Sequence, residues 1–451
     1  MSNRNFDSSV ITQRNKNKVL SQNIFRSQQN GTGIVTNPQN SNGGWSVIPQ
    51  IAEGVPTTYQ RGLTGYTTSD MGGLGNLYGI TAAPVTSSPP TPPTIAPAFI
   101  PTSWIDASGV DFGSYGRSVA YGNGVWIASG VDSTATVKSS SDNGITWTDM
   151  NNTIGYASGN GGVFGVATDG NGKWVAVGNQ NLAAGASTII FSSDNGVTWA
   201  TSANGFNLFN GFSDRGWAVG YGDGVWMAVG HYSTSIGFER RIKVATTFDP
   251  VTGPAWVDKP AGTGAEPVGF GPSNPAMCVA YGNGRWCVGG QDLNNTLKGS
   301  IFYSDDNGTT WTKSTGSFGG MCQGIDTDGN GNWVAVGYRY TDTRYPANID
   351  QKPIKYSTDN GTTWTDSSSL VGNLFTTGQS VTYQPLSSGG IWVATGSGNS
   401  QTILYSTNNG QTWNAAGSNR FTSAGYDVYF NVDRWVAVGN GGSSSIKYSL
   451  A

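Results

Sequence analysis

An eight-residue corner recurs along this chain and limits its fold more than any other feature. Ser140-Ser141-Asp142-Asn143-Gly144-Ile145-Thr146-Trp147 returns at Ser192–Trp199, Ser304–Trp311, Ser357–Trp364 and Ser406–Trp413, the last with Asn408 in place of the Asp. The stretch Thr247 to Trp256 stands where a sixth copy belongs and keeps only Asp249, Gly253 and Trp256. Each copy reads as a hairpin corner. The Asp (Asp142, Asp194, Asp306 or Asp359) accepts hydrogen bonds from turn N–H groups, the Gly takes a left-handed conformation, and the Trp anchors the next strand.

A second repeat runs out of phase with the first. Trp126-Ile127-Ala128-Ser129-Gly130 is followed by runs beginning at Trp174, Trp226, Trp286, Trp333, Trp392 and Trp435, spaced by 48, 52, 60, 47, 59 and 43 residues. These spacings exceed a hairpin and suit four-stranded units. The runs are apolar without alternation, as expected of strands covered on both faces. Turn signals such as Gly122-Asn123-Gly124 and Gly282-Asn283-Gly284 precede them. Each unit therefore reads as inner strand, tight turn, Trp-bearing second strand, variable loop, third strand, corner and outer strand. The seventh unit stops at Ile446–Ala451 without an outer strand, and Ser103-Trp104-Ile105-Asp106 resembles the missing piece. Pairing of the two would close a ring and hide a sheet edge.

The octapeptide resembles the Asp-box, or BNR, repeat of sialidase-like β-propellers, and the resemblance covers residues 101–451. It implies an all-β fold: a seven-bladed β-propeller of four-stranded antiparallel blades, here with an extended N-terminal arm. Sialidases carry an Arg-Ile-Pro motif, an arginine triad and a Tyr–Glu pair. This chain has no Arg-Ile-Pro and only Glu53, Glu239 and Glu266, so sialidase or other glycoside hydrolase activity is the weaker alternative. Seven-bladed Asp-box propellers also resemble photosystem II assembly factors, which implies protein binding without catalysis.

The expected domains are an arm over residues 1–83, a Pro-rich linker over 84–101, and a propeller over 102–451 closed by residues 103–106. Residues 1–100 carry six basic and three acidic residues, against −3 for the whole chain, and no apolar set large enough for a core. Seven prolines between Pro84 and Pro101 make that segment stiff. Polar, coreless arms of this kind are similar to those of capsid- and tail-associated proteins. The architecture therefore implies a virion component, anchored among other structural proteins by its arm and displaying a propeller to a host-surface glycan or protein. The chain has no run long and apolar enough for a membrane span and no apolar signal core at Met1–Asp7. Its slight negative charge disfavours a nucleic-acid partner, and the expectation is a non-enzymatic protein made in the cytoplasm, without membrane insertion.

Variable loops should share the face opposite the corners, where a rigid scaffold presents binding residues. The candidates there are Arg215, His231, Tyr232, Arg240, Arg241, Arg339, Tyr340, Arg344 and Tyr345. No cofactor or metal is expected: His231 is the only histidine, and Asp326–Gly331 resembles a calcium loop but falls where the other units have a hairpin turn. Cys278 and Cys287 flank one tight turn, either as buried thiols or facing each other across the hairpin.

Overall fold

The computed structural model describes residues 37–38, 45–46, 100–101, 103–132, 135–150, 162–179, 188–203, 205, 215–234, 237–259, 275–292, 298–318, 320–339, 352–368, 374–385, 390–398, 401–418, 420–431 and 433–449. Two units are distinguished, Met1–Pro97 and Ala98–Ala451. In the first, Asn37–Pro38 pairs antiparallel with Trp45–Ser46. The rest of the expected arm, and the linker apart from residues 100–101, lie outside the described residues.

Among its described residues the second unit is built almost entirely of strands and turns. Its innermost strands are Tyr115–Gly122, Gly162–Thr168, Arg215–Gly222, Ala276–Gly282, Gly320–Thr327, Thr377–Gln384 and Ala424–Asn431. Each packs against the next, and the last packs against the first, so the ring closes at seven. Each inner strand pairs antiparallel with a Trp-bearing second strand, for example Val119 with Ala128 and Val428 with Ala437. Third and outer strands follow in the same antiparallel order, as in Val137–Ser140 and Thr146–Asp149. The unit is a seven-bladed β-propeller.

The seventh blade takes its outer strand from the other end of the propeller. Ile105 pairs with Tyr448 and Asp106 with Lys447. The Trp104 indole donates to the Ala416 carbonyl at 3.0 Å, and its ring lies in the core between the sixth and seventh blades. Ser108–Gly109 then runs parallel to Thr146–Asp149 of the first blade. The start of the propeller thus stitches its last blade to its first.

The core is divided into seven clusters, each between two neighbouring blades. This explains the apolar runs. Side chains alternate across a strand even when hydrophobicity does not. Trp174 and Ala176 face the preceding blade, while Val175 and Val177 face the following one. Trp333 and Ala335 are divided from Val334 and Val336 in the same way. Where the blades meet near the axis, volumes are complementary. A Cβ on Gly216 would lie 2.6 Å from the Val177 Cβ, and one on Gly378 2.5 Å from the Val336 Cβ. A valine of one blade occupies the place of a side chain in the next.

Third and outer strands carry a second pattern. Blades one, three, five and seven pair Lys138 with Asp149, Lys243 with Asp258, Lys355 with Asp366 and Lys447 with Asp106. The equivalent pairs in the other blades are Ile190 with Thr201, Phe302 with Lys313 and Leu404 with Ala415. The site accepts a shielded ion pair or an apolar contact. Lys447 has 0% side-chain exposure and Asp106 32%. Asp106→Ala should therefore cost ~2–4 kcal/mol by leaving an enclosed cation. Adding Lys447→Leu, the residue type of the sixth blade, should recover most of that. Denaturant unfolding of both variants checks this, and a double variant as unstable as the single one would refute it.

Candidate functional site

The repeated corners are built from one hydrogen-bond set. Ser140 donates its hydroxyl to Asp142 Oδ1 at 2.8 Å and accepts from the Gly144 N–H at 3.0 Å. The Thr146 N–H donates to the same Asp142 oxygen at 2.9 Å, and its hydroxyl donates to the other. The Trp147 indole closes the corner on the Gly144 carbonyl at 3.0 Å. Asp194, Asp306 and Asp359 accept the matching Thr hydroxyls at 2.5, 2.6 and 2.6 Å. Asn408 keeps the acceptor role toward the Thr412 N–H at 3.0 Å, and its amide donates to the Thr412 hydroxyl at 2.9 Å. A neutral side chain completes the corner.

Four of the five corner Asn residues, Asn143, Asn195, Asn307 and Asn360, have a further task that the sequence did not reveal, whereas the Trp392 indole beside Asn409 has no hydrogen-bond partner among the described residues. Asn143, Asn195 and Asn360 sit at φ 62°, 62° and 60°. Their side-chain oxygens accept the second-strand indoles of Trp126, Trp174 and Trp333 at 3.1, 3.3 and 3.0 Å. The Asn143 and Asn195 amides then reach the preceding blade, at Asp433 (2.9 Å) and the Asn123 carbonyl (3.1 Å). The corners are inter-blade struts.

Burial pushes the Asp142, Asp194, Asp306 and Asp359 carboxyls up, but hydrogen bonds from the neighbouring Thr and Ser outweigh it and hold all four below their ordinary value. A depressed carboxyl contributes stability above the unfolded-state pKa, about 3.9, and loses it as pH falls through the folded-state value. The thermal midpoint should hold steady near neutrality and fall from about pH 4 downward. Asp194→Asn should blunt the fall, whereas Asp194→Ala should cost about 0.5–1.5 kcal/mol per lost hydrogen bond. A midpoint unchanged between pH 5 and pH 2 would remove the corners as its source.

The other end of the inner strands carries a different arrangement. Each strand breaks register once near its start, skipping Arg117, Phe164, Trp217, Met277, Gln323, Gln379 and Tyr426 in blades one to seven. Such bulges re-aim a side chain out of the ladder. All seven are partly buried. The Arg117 guanidinium lies 4.9 Å from the Tyr426 ring of blade seven and 6.0 Å from the Phe164 ring of blade two. Those blades cover opposite faces of blade one, so a side chain touching both must point toward the axis. Phe164 stacks on Trp217 at 5.1 Å, and the Arg215 guanidinium is 5.4 Å from the Trp217 ring. A continuous arc of rings and guanidinium groups thus spans blades seven, one, two and three.

The electrostatics of this arc favour an anionic visitor. Burial draws the Arg117 guanidinium below its ordinary value, opposed by Tyr115, Tyr426 and Asp427. Among the described residues no acceptor hydrogen-bonds Arg117, and the Arg215 Nε is buried without a partner. Asp427 is already engaged. It accepts from Ser118 and Val119 of blade one (3.0 and 2.9 Å), from Ser380 of blade six (2.5 Å) and from Val428 (2.9 Å). Burial nevertheless pushes its carboxyl above the ordinary range.

Of the residues singled out from sequence, Arg215 belongs to this arc. His231 and Tyr232 lie in Val225–Thr234, opposite Arg240 and Glu239 of Gly237–Ala245. His231, Tyr232, Arg240 and Arg241, expected on a variable loop, instead continue the ladder of the third blade, where Val225–Thr234 pairs with Gly237–Ala245. Arg215, His231 and Arg240 fall on one row of that sheet, and Arg241 pairs with Gly230. Arg339 ends a second strand opposite Gly320. Tyr340, Arg344 and Tyr345 lie outside the described residues. The Asp326–Gly331 stretch is a hairpin turn, with Asp328 accepting the Asn330 and Asn332 N–H groups at 2.7 and 3.1 Å. Cys278 does not face Cys287: their ladder partners are Gly289 and Ala280.

Residues 302–313 and 404–415 match the BNR/Asp-box repeat. The chain carries Asp-boxes. The other corners repeat the same Asp-box geometry beyond the two matched segments. A comparison with curated proteins gives no match. Among solved structures, YCF48 bound to D1 peptide superposes with a TM-score of 0.51 at 14% identity, covering 78% of this chain and 97% of that one. Trypanosoma rangeli sialidase in complex with the inhibitor DANA gives 0.39 at 14% identity, over 74% of this chain and 54% of that one. The α-L-arabinofuranosidase Arb93A from Fusarium graminearum gives 0.41 at 16%, over 64% and 92%. At such identities the likeness is one of fold.

Proposed function

We propose that this chain is a non-enzymatic binding propeller, with the arc of bulge residues at the axial mouth as its contact surface for a segment of a partner protein. The carrying observation is Arg117, held between the Tyr426 and Phe164 rings with no acceptor among the described residues. Its donors suit a carboxylate, and the stacked Phe164 and Trp217 beside it suit an apolar or aromatic side chain. The YCF48 structure, a propeller of similar extent, holds a peptide, which favours a peptide over a sugar. Against hydrolysis stands the state of Asp427: four hydrogen bonds from its own chain tie up its oxygens and give it a structural task.

The finer reading is a virion component, displaying the propeller outward from residues 1–97. Its support is compositional: that unit has basic residues and prolines but no apolar set for a core of its own. On this reading, deleting residues 1–90 leaves a folded propeller that no longer joins its parent particle.

Titration of the full chain with peptides bearing Asp or Glu beside Phe or Tyr, followed by Trp fluorescence, tests the mouth. Arg117→Ala and Trp217→Ala should each weaken binding at least tenfold, as expected of central anchors, while Asp194→Ala leaves it unchanged. Equal affinity in all four proteins would overturn the assignment. Turnover of aryl glycosides by the wild type that is lost in Asp427→Asn would replace it with hydrolysis.

A further inference from the structure

The contact between the fourth and fifth blades is packed in its own way. At four other contacts a β-branched residue in the second strand fills the space beside a glycine of the next inner strand, as Val177 does for Gly216, Val336 for Gly378, Thr395 for Gly425 and Val438 for Gly116. The first contact has Ser129 and Val163 at these positions and the third Val229 and Ala276. Between blades four and five the roles are exchanged. The second strand has Gly289, and the next inner strand has Cys322 in the glycine position. A Cβ on Gly289 would lie 2.5 Å from the Cys322 Sγ and 2.7 Å from the Cys278 Sγ. Two thiols fill one valine-sized space.

Their sulfurs are 3.6 Å apart, across the boundary between two blades. Cys278 is 5% exposed and Cys322 0%. Cys287 is buried as well, but its sulfur points to the next Asp-box, where it would lie 2.9 Å from a Cβ on Gly361. The three cysteines are therefore one facing pair and one bystander.

We propose that Cys278 and Cys322 are an oxidation site, joined by a two-electron oxidant into a disulfide between the inner strands of blades four and five. The step removes one hydrogen from each thiol and forms one S–S bond. A diazene such as diamide accepts both electrons and both protons and becomes the hydrazine. The sulfurs need to close by about 1.5 Å to reach the bond length of about 2.05 Å, and Gly289 leaves no side chain in the way. The bond encloses a span of 44 residues, long enough for a marked effect on the unfolded chain. Burial holds the Cys322 thiol well above its ordinary value, so the folded protein should react slowly and protect the bond once made. Other described blade contacts are non-covalent, for example the Ser314 hydroxyl on the Gly361 carbonyl at 2.6 Å.

The test uses the full chain in two forms, one treated folded with diamide and one refolded in a glutathione redox buffer. Each is denatured, alkylated, digested with trypsin and weighed. Arg285, Lys298 and Lys313 place the three cysteines on separate peptides. The expected result in at least one form is a Cys278–Cys322 cross-linked peptide with Cys287 alone alkylated, and a thermal midpoint raised by about 5 °C. Cys287→Ser should keep the cross-link and Cys322→Ser abolish it. Three alkylated cysteines in both forms, or a bond that includes Cys287, would overturn the proposal.

Discussion

Everything in the propeller depends on the second strand of each blade contributing to two cores at once. Trp226 and Ala228 serve the contact with blade two, while Met227 and Val229 serve the contact with blade four. No blade owns a core, so none can bury its apolar faces alone. The arrangement is stable only when the last blade meets the first. That explains why chain from the start of the propeller is used to finish blade seven. Without Trp104 the cluster between blades six and seven would lack its outer-strand indole.

The ring separates two kinds of work. On one face, the Asp-boxes of the first two blades tie an outer corner to an indole and then to the preceding blade, through Asn143 and Asn195. Near the opposite end of the inner strands, one residue per blade leaves the ladder, and Arg117 turns to the axis. The carboxylates of the repeat therefore serve architecture. The aromatic and cationic groups proposed to meet a ligand come from positions outside the repeat consensus.

This division decides what the sequence could show. The blades were legible because each is written out again: a Trp, an Ala and a Gly at fixed places, followed by the octapeptide. Ring closure was legible because one outer strand was missing at one end and present at the other. The mouth was hidden by register. A bulge adds a residue without changing the strand's apolar character, so Arg117 and Tyr426 look like ordinary strand residues. A signal did exist. In Gly116-Arg117-Ser118-Val119, Gly216-Trp217-Ala218-Val219, Gly378-Gln379-Ser380-Val381 and Gly425-Tyr426-Asp427-Val428, one variable position sits between a glycine and a small or acidic residue. Attention to loops led instead to His231 and Arg240, which continue a sheet.

The same register break explains how one scaffold can carry different contact surfaces. A residue inside the ladder is fixed by volume on both sides, as Val336 is by Gly378, and changing it disturbs two blades. A bulge residue has left that packing, and its exchange costs little elsewhere. Blades four to six place Met277, Gln323 and Gln379 at this level, while blades seven to three place two rings, an arginine and an indole. The ring is thus uniform in its walls and lopsided at its mouth. On the proposed reading, an asymmetric mouth on a near-symmetric ring would hold a peptide in one orientation, because among the seven bulge residues the stacking surfaces and the guanidinium lie on one side. Asp427 supports that side by bracing blades six, seven and one beneath Arg117 and Tyr426, so the proposed contact residues rest on the place where the ring is closed.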